Sequence, residues 1–221
     1  MAGDGLRTHV ETDPLFMENG YVLYVRDGGD CWMVDPGLPP HGERMSAFAN
    51  DHRLTLAAVL LTHAHGDHIA GVDEVRGVLG PAPLYLARQE WPFLSDPARN
   101  LSGQFDLSLT VSTDNLHDLS PGSELSLEGT AWAVLDTSGH SPGGRSLYCA
   151  SAGLVIVGDA LFAGSIGRTD LPHSDGRGLL ANIRDHLLTL PGPTRVLSGH
   201  GPDTTIARER RSNPFLGDGT C

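Results

Sequence analysis

The chain alternates between short apolar runs and polar clusters that contain glycine. Residues 21–26 and 31–34 are strand-like and flank the turn Asp27-Gly28-Gly29-Asp30, which predicts a β-hairpin. Residues 56–61 form a continuous apolar run, which is typical of a strand buried on both faces. Further apolar runs in the second half predict strands over residues 131–135, 154–157 and 195–197.

Apolar side chains at helical spacing separate these strands. Met45, Phe48 and Ala49 would share one side of a helix over residues 41–53. The same reasoning predicts helices over residues 69–78, 178–190 and 204–211. Helices interleaved with strands favour an α/β fold with covered sheets. No segment between the halves reads as a flexible linker, so we expect residues 1–221 to form a single domain.

Composition limits the classes of function. The 221 residues carry a formal net charge of −12, and an acidic surface disfavours a nucleic-acid partner. No stretch approaches the ~20 apolar residues that a membrane-spanning helix needs, and residues 1–18 do not read as a secretion signal. The spacing of Cys31, Cys149 and Cys221 fits neither a disulfide framework nor a zinc finger. We therefore expect a cytoplasmic protein with reduced thiols and no membrane partner, whose oligomeric state the sequence leaves open.

Three histidines and an aspartate follow directly after the apolar run 56–61, in Thr62-His63-Ala64-His65-Gly66-Asp67-His68. In an extended backbone, His63 and His65 would point to the same side and could reach one metal ion. Where a helix then begins, Asp67 and His68 would point elsewhere and could reach a second ion. Such a concentration of ligand side chains after a buried strand predicts a metal site.

Three more candidate ligands follow predicted strands, and a glycine precedes each. They are His140 after Gly139, Asp159 after Gly158, and His200 after Gly199. Each is compatible with an ordinary loop residue when considered alone. Together with the first motif they favour a shared metal site, because glycine lets the main chain turn sharply beside a packed ion.

In this order, the ligand series is similar to that of the metallo-beta-lactamase superfamily, and the resemblance runs from about Tyr21 to Phe215. Residues 158–170 resemble the glyoxalase II and persulfide dioxygenase branches, and residues 210–215 resemble short, single-domain hydrolases of the glyoxalase II group. The resemblance implies a four-layered αββα sandwich with the metals at one edge, between two sheets. Only 21 residues follow His200, so we expect the helical glutathione-binding domain of full-length glyoxalase II enzymes to be absent.

The resemblance also implies a ligand for each metal position. His63, His65 and His140 would bind the first ion, Asp67, His68 and His200 the second, and Asp159 would bridge the two. Two zinc ions per chain are implied, with iron or manganese tolerated. A hydroxide held between the ions would attack a small-molecule substrate, a thioester such as S-acylglutathione, and Asp67 would also act in catalysis by orienting that nucleophile.

Two other readings remain open at this point. A mononuclear iron persulfide dioxygenase would use His63, His140 and Asp159 as its ligands, although Asn213-Pro214-Phe215 favours the hydrolase. A metal-storing or structural protein would instead have a closed site.

Several polar residues near the motifs have two interpretations each. Arg168 and Asp170 could form a salt bridge or contact substrate, and His173 could line a pocket or lie in an exposed loop. Four basic residues could meet an anionic substrate, namely Arg145, Arg208, Arg210 and Arg211. Solvated surface charge is the expected role of most of them. The histidines predicted to be structural or exposed are His9, His41, His52, His117 and His186.

Overall fold

Two six-stranded sheets form the centre of the structure, a computed structural model that describes residues 5–216. The strands of the first sheet, in spatial order, are β1 (Arg7–Thr12), β2 (Asn19–Tyr24), β3 (Asp30–Val34), β4 (Thr55–Leu60), β5 (Leu84–Leu86) and β6 (Leu116–Asp118). The strands β1, β2 and β3 pair antiparallel, and β3 to β6 pair parallel. The hairpin predicted around Gly28 and Gly29 is therefore confirmed.

The second sheet and a small ribbon come from the rest of the chain. Their strands are β7 (Glu124–Leu127), β8 (Thr130–Asp136), β9 (Arg145–Cys149), β10 (Leu154–Gly158), β11 (Leu161–Phe162), β12 (Ser165–Ile166), β13 (Arg195–Ser198) and β14 (Thr204–Thr205). The spatial order of the sheet is β14-β13-β10-β9-β8-β7, while β11 and β12 form the ribbon. Only the pair β10 and β13 is parallel among the described strands of this sheet.

Helices cover both outer faces. The α-helices are α1 (His41–Asp51), α2 (Gly66–Ile69), α3 (Val72–Leu79), α4 (Gly176–Asn182) and α5 (Ile206–Ser212). Two 3₁₀ segments, Arg88–Ser95 and Ser102–Phe105, connect elements of the first half, and a π-helical turn, Ile183–Leu187, continues α4.

Three separate apolar cores show that the layers are stacked as helix, sheet, sheet, helix. In the first core, Met45 and Val75 of the helices pack with Met33 of the first sheet. The central core joins the two sheets, and it includes Trp32 and Trp132, whose ring centroids are 5.9 Å apart. The third core joins the second sheet to α4, the π-helical turn and α5. The predicted α/β class and its four-layered αββα arrangement are therefore confirmed.

The predicted helices were partly wrong in their bounds. Residues 69–78 do not form one helix, because Gly71 N–H donates to Pro36 O at 2.7 Å and separates α2 from α3. The α-helix predicted over residues 178–190 begins earlier, at Gly176, with Asp175 as its N-cap. It also ends earlier, at Asn182. At residues 204–211, Thr204 and Thr205 pair with β13 before α5 begins.

Two further predictions concern the cysteine thiols and membrane-spanning helices. Cys31 and Cys149 are buried and free, whereas Cys221 lies outside the described residues. Among residues 5–216, no helix has both the length and the apolar character needed to cross a membrane.

Candidate metal centre

Four loops bring the predicted ligands to one edge of the two sheets. The loop after β4 and the start of α2 carry His63, His65, Asp67 and His68. From the second sheet, His140 follows β8, Asp159 follows β10, and His200 follows β13. Thus the first sheet supplies four of the side chains and the second sheet supplies three. All seven predicted site residues lie together.

The first ligand group consists of His63, His65 and His140. Nδ1 of His65 lies 3.0 Å from Nε2 of His63 and 3.0 Å from Nε2 of His140. All three side chains are buried. Three imidazole nitrogens therefore converge on one small volume, which is the donor set that a divalent transition metal prefers.

The second ligand group consists of Asp67, His68 and His200. Nε2 of His200 lies 3.3 Å from Oδ2 of Asp67, and Nε2 of His68 lies 3.9 Å from the same oxygen. His68 is fully buried, whereas Asp67 and His200 keep about a quarter of their side-chain surface exposed. This group is therefore more open to solvent than the first.

Asp159 lies between the two groups. Its Oδ1 is 3.5 Å from Nε2 of His68, and its Oδ2 is 3.5 Å from Nε2 of both His140 and His200. One carboxylate therefore lies close enough to contact metal ions in both groups, as a bridging ligand must.

Hydrogen bonds on the far side of the rings orient the histidines. Nδ1 of His140 donates to Arg168 O at 2.9 Å, and Nδ1 of His200 donates to Phe16 O at 2.9 Å. A carbonyl can only accept, so Nδ1 carries the proton and Nε2 keeps a lone pair directed into the centre. Such support is characteristic of histidines that bind metals.

Electrostatics differ between the two groups. Burial, followed by the neighbouring imidazoles, lowers the pKa of His63 well below its ordinary value and lowers the pKa of His65 to about 3. Burial alone would also lower the pKa of His68, but the carboxylates of Asp67 and Asp159 raise it well above the ordinary value. Burial opposes ionisation of Asp159, yet His68 holds the pKa of that carboxyl well below its usual range. These shifts favour neutral imidazoles at His63 and His65, whereas the second group pairs His68 with carboxylates.

A metal pair fits the residues that are present. Oδ1 of Asp159 and Nε2 of His68 are buried without a hydrogen-bond partner, which is costly unless another group satisfies them. Each ligand group also offers atoms that lie within 4.8 Å of one another. Cations at these positions would satisfy the unpartnered atoms and stabilise the cluster of inward-facing nitrogens.

All three of the preceding glycines are required by close packing, and two of them pack against residues at the centre itself. Gly158 has φ +50°, and a Cβ there would lie 2.3 Å from Oγ1 of Thr62. A Cβ at Gly199 would lie 2.3 Å from Oδ1 of Asp159 and 2.8 Å from Cε1 of His68. A larger residue at either position would displace the ligand loops.

Asp35 supports the second ligand group and was not predicted. Thr62 donates to this carboxylate from N at 2.8 Å and from Oγ1 at 2.6 Å, and Nδ1 of His68 lies 3.2 Å from Oδ2. Nδ1 of His63 in turn lies 3.1 Å from Oγ1 of Thr62. The available signal was that Asp35 follows β3 just as the ligands follow their own strands.

Glu90 supports the first ligand group and was also not predicted. Its fully buried carboxyl accepts from Gly143 N at 2.7 Å and from Ala64 N at 3.3 Å. These contacts tie the loop of His140 to the loop of His63 and His65. Burial raises the pKa of Glu90, with the hydrogen bonds acting against that shift. Nothing in the local sequence distinguishes Glu90 from a surface residue.

A cavity of about 300 Å³ opens in front of the ligands. His65, Asp67, His140, Asp159 and His200 line its inner end. The rest of the wall is mainly apolar and includes Phe16 and the segment around Ser102–Phe105. A small molecule can therefore reach the candidate centre.

The polar residues next to the ligand motifs differ in exposure and in their partners. Arg168 forms a two-bond ion pair with Asp170 at 2.9 and 3.0 Å, so the salt-bridge interpretation holds. His173 is exposed and contacts the edge of Phe93 rather than lining the cavity. Arg145 is buried and donates to Asp136 and to Leu119 O, so it is not among the arginines with the surface role expected of most of the four.

The exposure of three arginines near the C-terminus and of five histidines can be compared with the roles predicted for them. Arg208, Arg210 and Arg211 are exposed, as expected of surface charge. Among the histidines that were predicted to be structural or exposed, His41 is fully buried and His117 is exposed, while the partly buried ones are His9, His52 and His186.

The fold and the histidine-rich centre define a class, which comparison with known families identifies. The profile of the Metallo-beta-lactamase superfamily matches residues 16–200. The chain therefore belongs to this superfamily, and the match supports its assignment as a metal-binding hydrolase.

Two curated relatives cover most of the chain. The probable metallo-hydrolase YqgX of Bacillus subtilis (strain 168) is 42% identical over 198 residues, which are 90% of this chain and 92% of the relative. The hydroxyacylglutathione hydrolase GloC of Haemophilus influenzae (strain ATCC 51907 / DSM 11121 / KW20 / Rd) is 32% identical over 202 residues, covering 91% and 93%.

Two solved structures share the fold over nearly their whole length. The crystal structure of the BLEG-1 B3 metallo-beta-lactamase has a TM-score of 0.86 and 40% identity, covering 96% of this chain and 99% of that one. The crystal structure of TTHA1623 in a di-iron-bound form has a TM-score of 0.82 and 36% identity, covering 94% and 100%.

Proposed function

We propose that this protein hydrolyses thioesters with the help of two metal ions. The observation that carries the proposal is the pair of complete three-residue ligand groups with Asp159 between them. The first ion would be held by His63, His65 and His140, and the second by Asp67, His68 and His200. Asp159 would contact both.

The ligand chemistry leaves the choice of metal to measurement. Imidazole and carboxylate ligands suit zinc, iron and manganese. We propose two zinc ions per chain, while the di-iron-bound form of TTHA1623 supports iron as the alternative. Two divalent cations bound here would supply hydroxide at neutral pH and polarise an acyl carbonyl.

The chain's own groups then position the reactants. Asp67 lines the cavity, and although burial acts against it, His68 and the hydrogen bond from His200 lower the pKa of its carboxyl. An ionised Asp67 can accept a hydrogen bond from the nucleophile and orient it toward the carbonyl. The apolar wall excludes bulk water from the substrate, which strengthens these polar interactions.

The thioester as substrate is supported by one relative. GloC carries the name hydroxyacylglutathione hydrolase, and that substrate is a thioester. The mononuclear dioxygenase alternative would use His63, His140 and Asp159 alone, and it gives no role to the complete group of Asp67, His68 and His200. Hydrolysis of a β-lactam is the second candidate, because the BLEG-1 enzyme is 40% identical.

We also propose that the chain acts as one domain. The central core joins both sheets, and each sheet contributes to the core beneath its own helices. The ligands come from both sheets, so the centre would not form from either half alone.

Metal analysis combined with four assays tests the proposal. We expect about two ions per chain and turnover of S-lactoylglutathione or an uncharged thioester. We expect no oxygen uptake with glutathione persulfide and little hydrolysis of a chromogenic cephalosporin. One iron per chain with oxygen uptake would support the dioxygenase instead.

The variant Asp159→Asn tests the ligand assignment. It should lose metal and reduce kcat by at least about 100-fold, because a bridging charge is removed. Asp185→Asn changes an exposed aspartate of the π-helical turn and should retain both metal and turnover. If Asp159→Asn keeps two ions and full hydrolysis, the ligand assignment is wrong.

A further inference from the structure

The cavity in front of the ligand groups has walls that are mostly hydrocarbon. Its side chains away from the ligands include Phe16, Leu38, Phe105, Leu107, Leu109 and Leu171. The rings of Phe16 and Phe105 meet edge to face with centroids 5.1 Å apart. The volume, about 300 Å³, equals that of roughly ten water molecules in the liquid. The space therefore suits a compact apolar group.

Apolar side chains are exposed around this opening to an unusual extent. Phe105 is 56% exposed and Leu107 is 39% exposed, and both line the cavity. Leu15 and Met17, the chain neighbours of Phe16, are also exposed. Left-handed backbone at Leu101 (φ 66°) and Asp106 (φ 57°) flanks Ser102–Phe105 and shapes this rim. Clustered exposed apolar surface next to a reactive centre indicates a site that an apolar ligand covers.

Two polar residues of the wall, Asn100 and Ser102, already hydrogen-bond within the protein. Nδ2 of Asn100 donates to Phe93 O and to Leu109 O, both at 3.0 Å, and its Oδ1 accepts from Ser102 N at 3.1 Å. Oγ of Ser102 accepts from Leu109 N at 3.2 Å. These two residues shape the loop, so Gln104 and Arg168 are the exposed polar residues of the described wall besides the ligands.

Arginine and lysine side chains are scarce around the cavity. The chain contains no lysine, and Arg168 is the one arginine among the described residues that line the space. Its guanidinium is exposed and already held by the Asp170 carboxylate. The free carboxylates of a glutathione moiety would therefore meet mainly apolar walls, which is unfavourable.

We infer that this cavity binds a compact apolar part of the substrate, an aliphatic or aromatic group of about ten non-hydrogen atoms, in preference to a glutathione tripeptide. The inference rests on the proposed thioester hydrolysis for its reaction. It assigns Phe105 and Leu107 as residues that determine specificity.

Binding of thioethers that cannot be hydrolysed tests the cavity independently of turnover. Titration calorimetry on the zinc-loaded protein would compare S-ethyl-, S-butyl- and S-hexyl-N-acetylcysteamine with S-hexylglutathione. We expect affinity to rise up to about fourfold for each buried methylene, and S-hexyl-N-acetylcysteamine to bind more tightly than S-hexylglutathione. Tenfold tighter binding of the glutathione thioether, or no increase with chain length, would overturn the inference.

Turnover of the matching thioesters separates the two proposals. Hexanoyl-N-acetylcysteamine should exceed both its acetyl homologue and S-lactoylglutathione in kcat/KM. If the thioethers bind as expected and no thioester is hydrolysed, the cavity assignment stands and the proposed function is wrong.

The variant Leu107→Arg tests the residue assignment. It places a cation on the rim, so affinity for S-hexyl-N-acetylcysteamine should fall by about fivefold or more while affinity for S-hexylglutathione rises. Val78→Arg introduces the same charge at an exposed apolar position of α3, outside the cavity, and should change neither affinity. Equal behaviour of the two variants would contradict the assignment.

Discussion

The two ligand groups lie side by side but differ in charge, exposure and support. His63, His65 and His140 are buried imidazoles, and their loops are held together by the Glu90 carboxyl. The other group contains an aspartate, is partly open to the cavity, and is held from behind by Asp35. One group is therefore buried and made of imidazoles alone, and its neighbour contains a carboxylate and is partly exposed.

This difference indicates how an acidic chain can hold two cations in one small volume. The first group, which consists of three imidazoles, contributes lone pairs without negative charge, so its cation would retain most of its electrophilic character. The carboxylates of Asp67 and Asp159 balance the charge where solvent and substrate enter. The same carboxylates lie 3.9 Å (Asp67) and 3.5 Å (Asp159) from Nε2 of His68, and they raise the pKa of that imidazole.

The largest effect is expected from Glu90→Ala, which removes the support of the first group. Loss of two buried hydrogen bonds should cost about 3 kcal/mol, or about 6–12 °C in melting temperature for a chain of this size. Metal affinity of the first group should fall about 10–100-fold, with a smaller effect on the second. Thermal unfolding and stepwise metal titration measure both effects.

Glu90→Gln provides the matched control, because its amide oxygen can still accept from Gly143 N. It should recover most of the stability lost in Glu90→Ala. An alanine variant as stable as the unmodified protein would show that Glu90 does not hold the loops.

Asp35→Asn should weaken the second group selectively. The NH2 of the substituted amide would lie opposite Thr62 N in one orientation, and opposite Oγ1 of Thr62 and Nδ1 of His68 in the other, so at least one hydrogen bond is lost. We expect about 10–100-fold weaker binding of the second ion, with the first ion retained. Equal loss of both ions would show that Asp35 does not support the second ligand group selectively.

Metal retention should depend on pH in the second group more than in the first. His68 has a raised pKa, so protons compete with metal there and affinity falls as pH decreases, by up to about tenfold per unit. His63 and His65 have lowered pKa values and remain neutral between about pH 8 and pH 6. Counting bound ions after dialysis at the two pH values should show loss of one ion first.

The same shift has the opposite sign for folding of the metal-free protein. A raised pKa in the folded state means that protonated His68 stabilises the fold below its unfolded pKa, about 6.5. This contribution disappears as pH rises through the higher folded pKa. Melting temperatures of the metal-free protein that rise over that window would contradict the assigned direction for His68.

The smallest effect is expected from Asp170→Asn. The ion pair with Arg168 is exposed, and exposed pairs contribute little. His140 is oriented by the backbone carbonyl of Arg168 rather than by its guanidinium, so affinity of the first group should change by no more than about twofold. A larger decrease in that metal affinity would show that the ion pair of Arg168 and Asp170 also helps to position His140.

Regular apolar runs made the main strands predictable. Residues 21–26, 31–34 and 56–61 became β2, β3 and β4 with small shifts at their ends. The three-residue strands β5 and β6 were missed, because so short a segment shows no periodicity and depends on its neighbours for pairing. The break between α2 and α3 was missed because a distant backbone group, Pro36 O, causes it.

The sequence by itself determined the seven candidate ligands, because their residue types and their places after strands or glycines are local features of the chain. Only the tertiary structure decided what surrounds them. Asp35 and Glu90 matter because folding brings each beside loops from distant parts of the chain. The apolar cavity likewise joins Phe16, Leu107 and Leu171, which share no local pattern and meet only when the loops close over the edge of the two sheets.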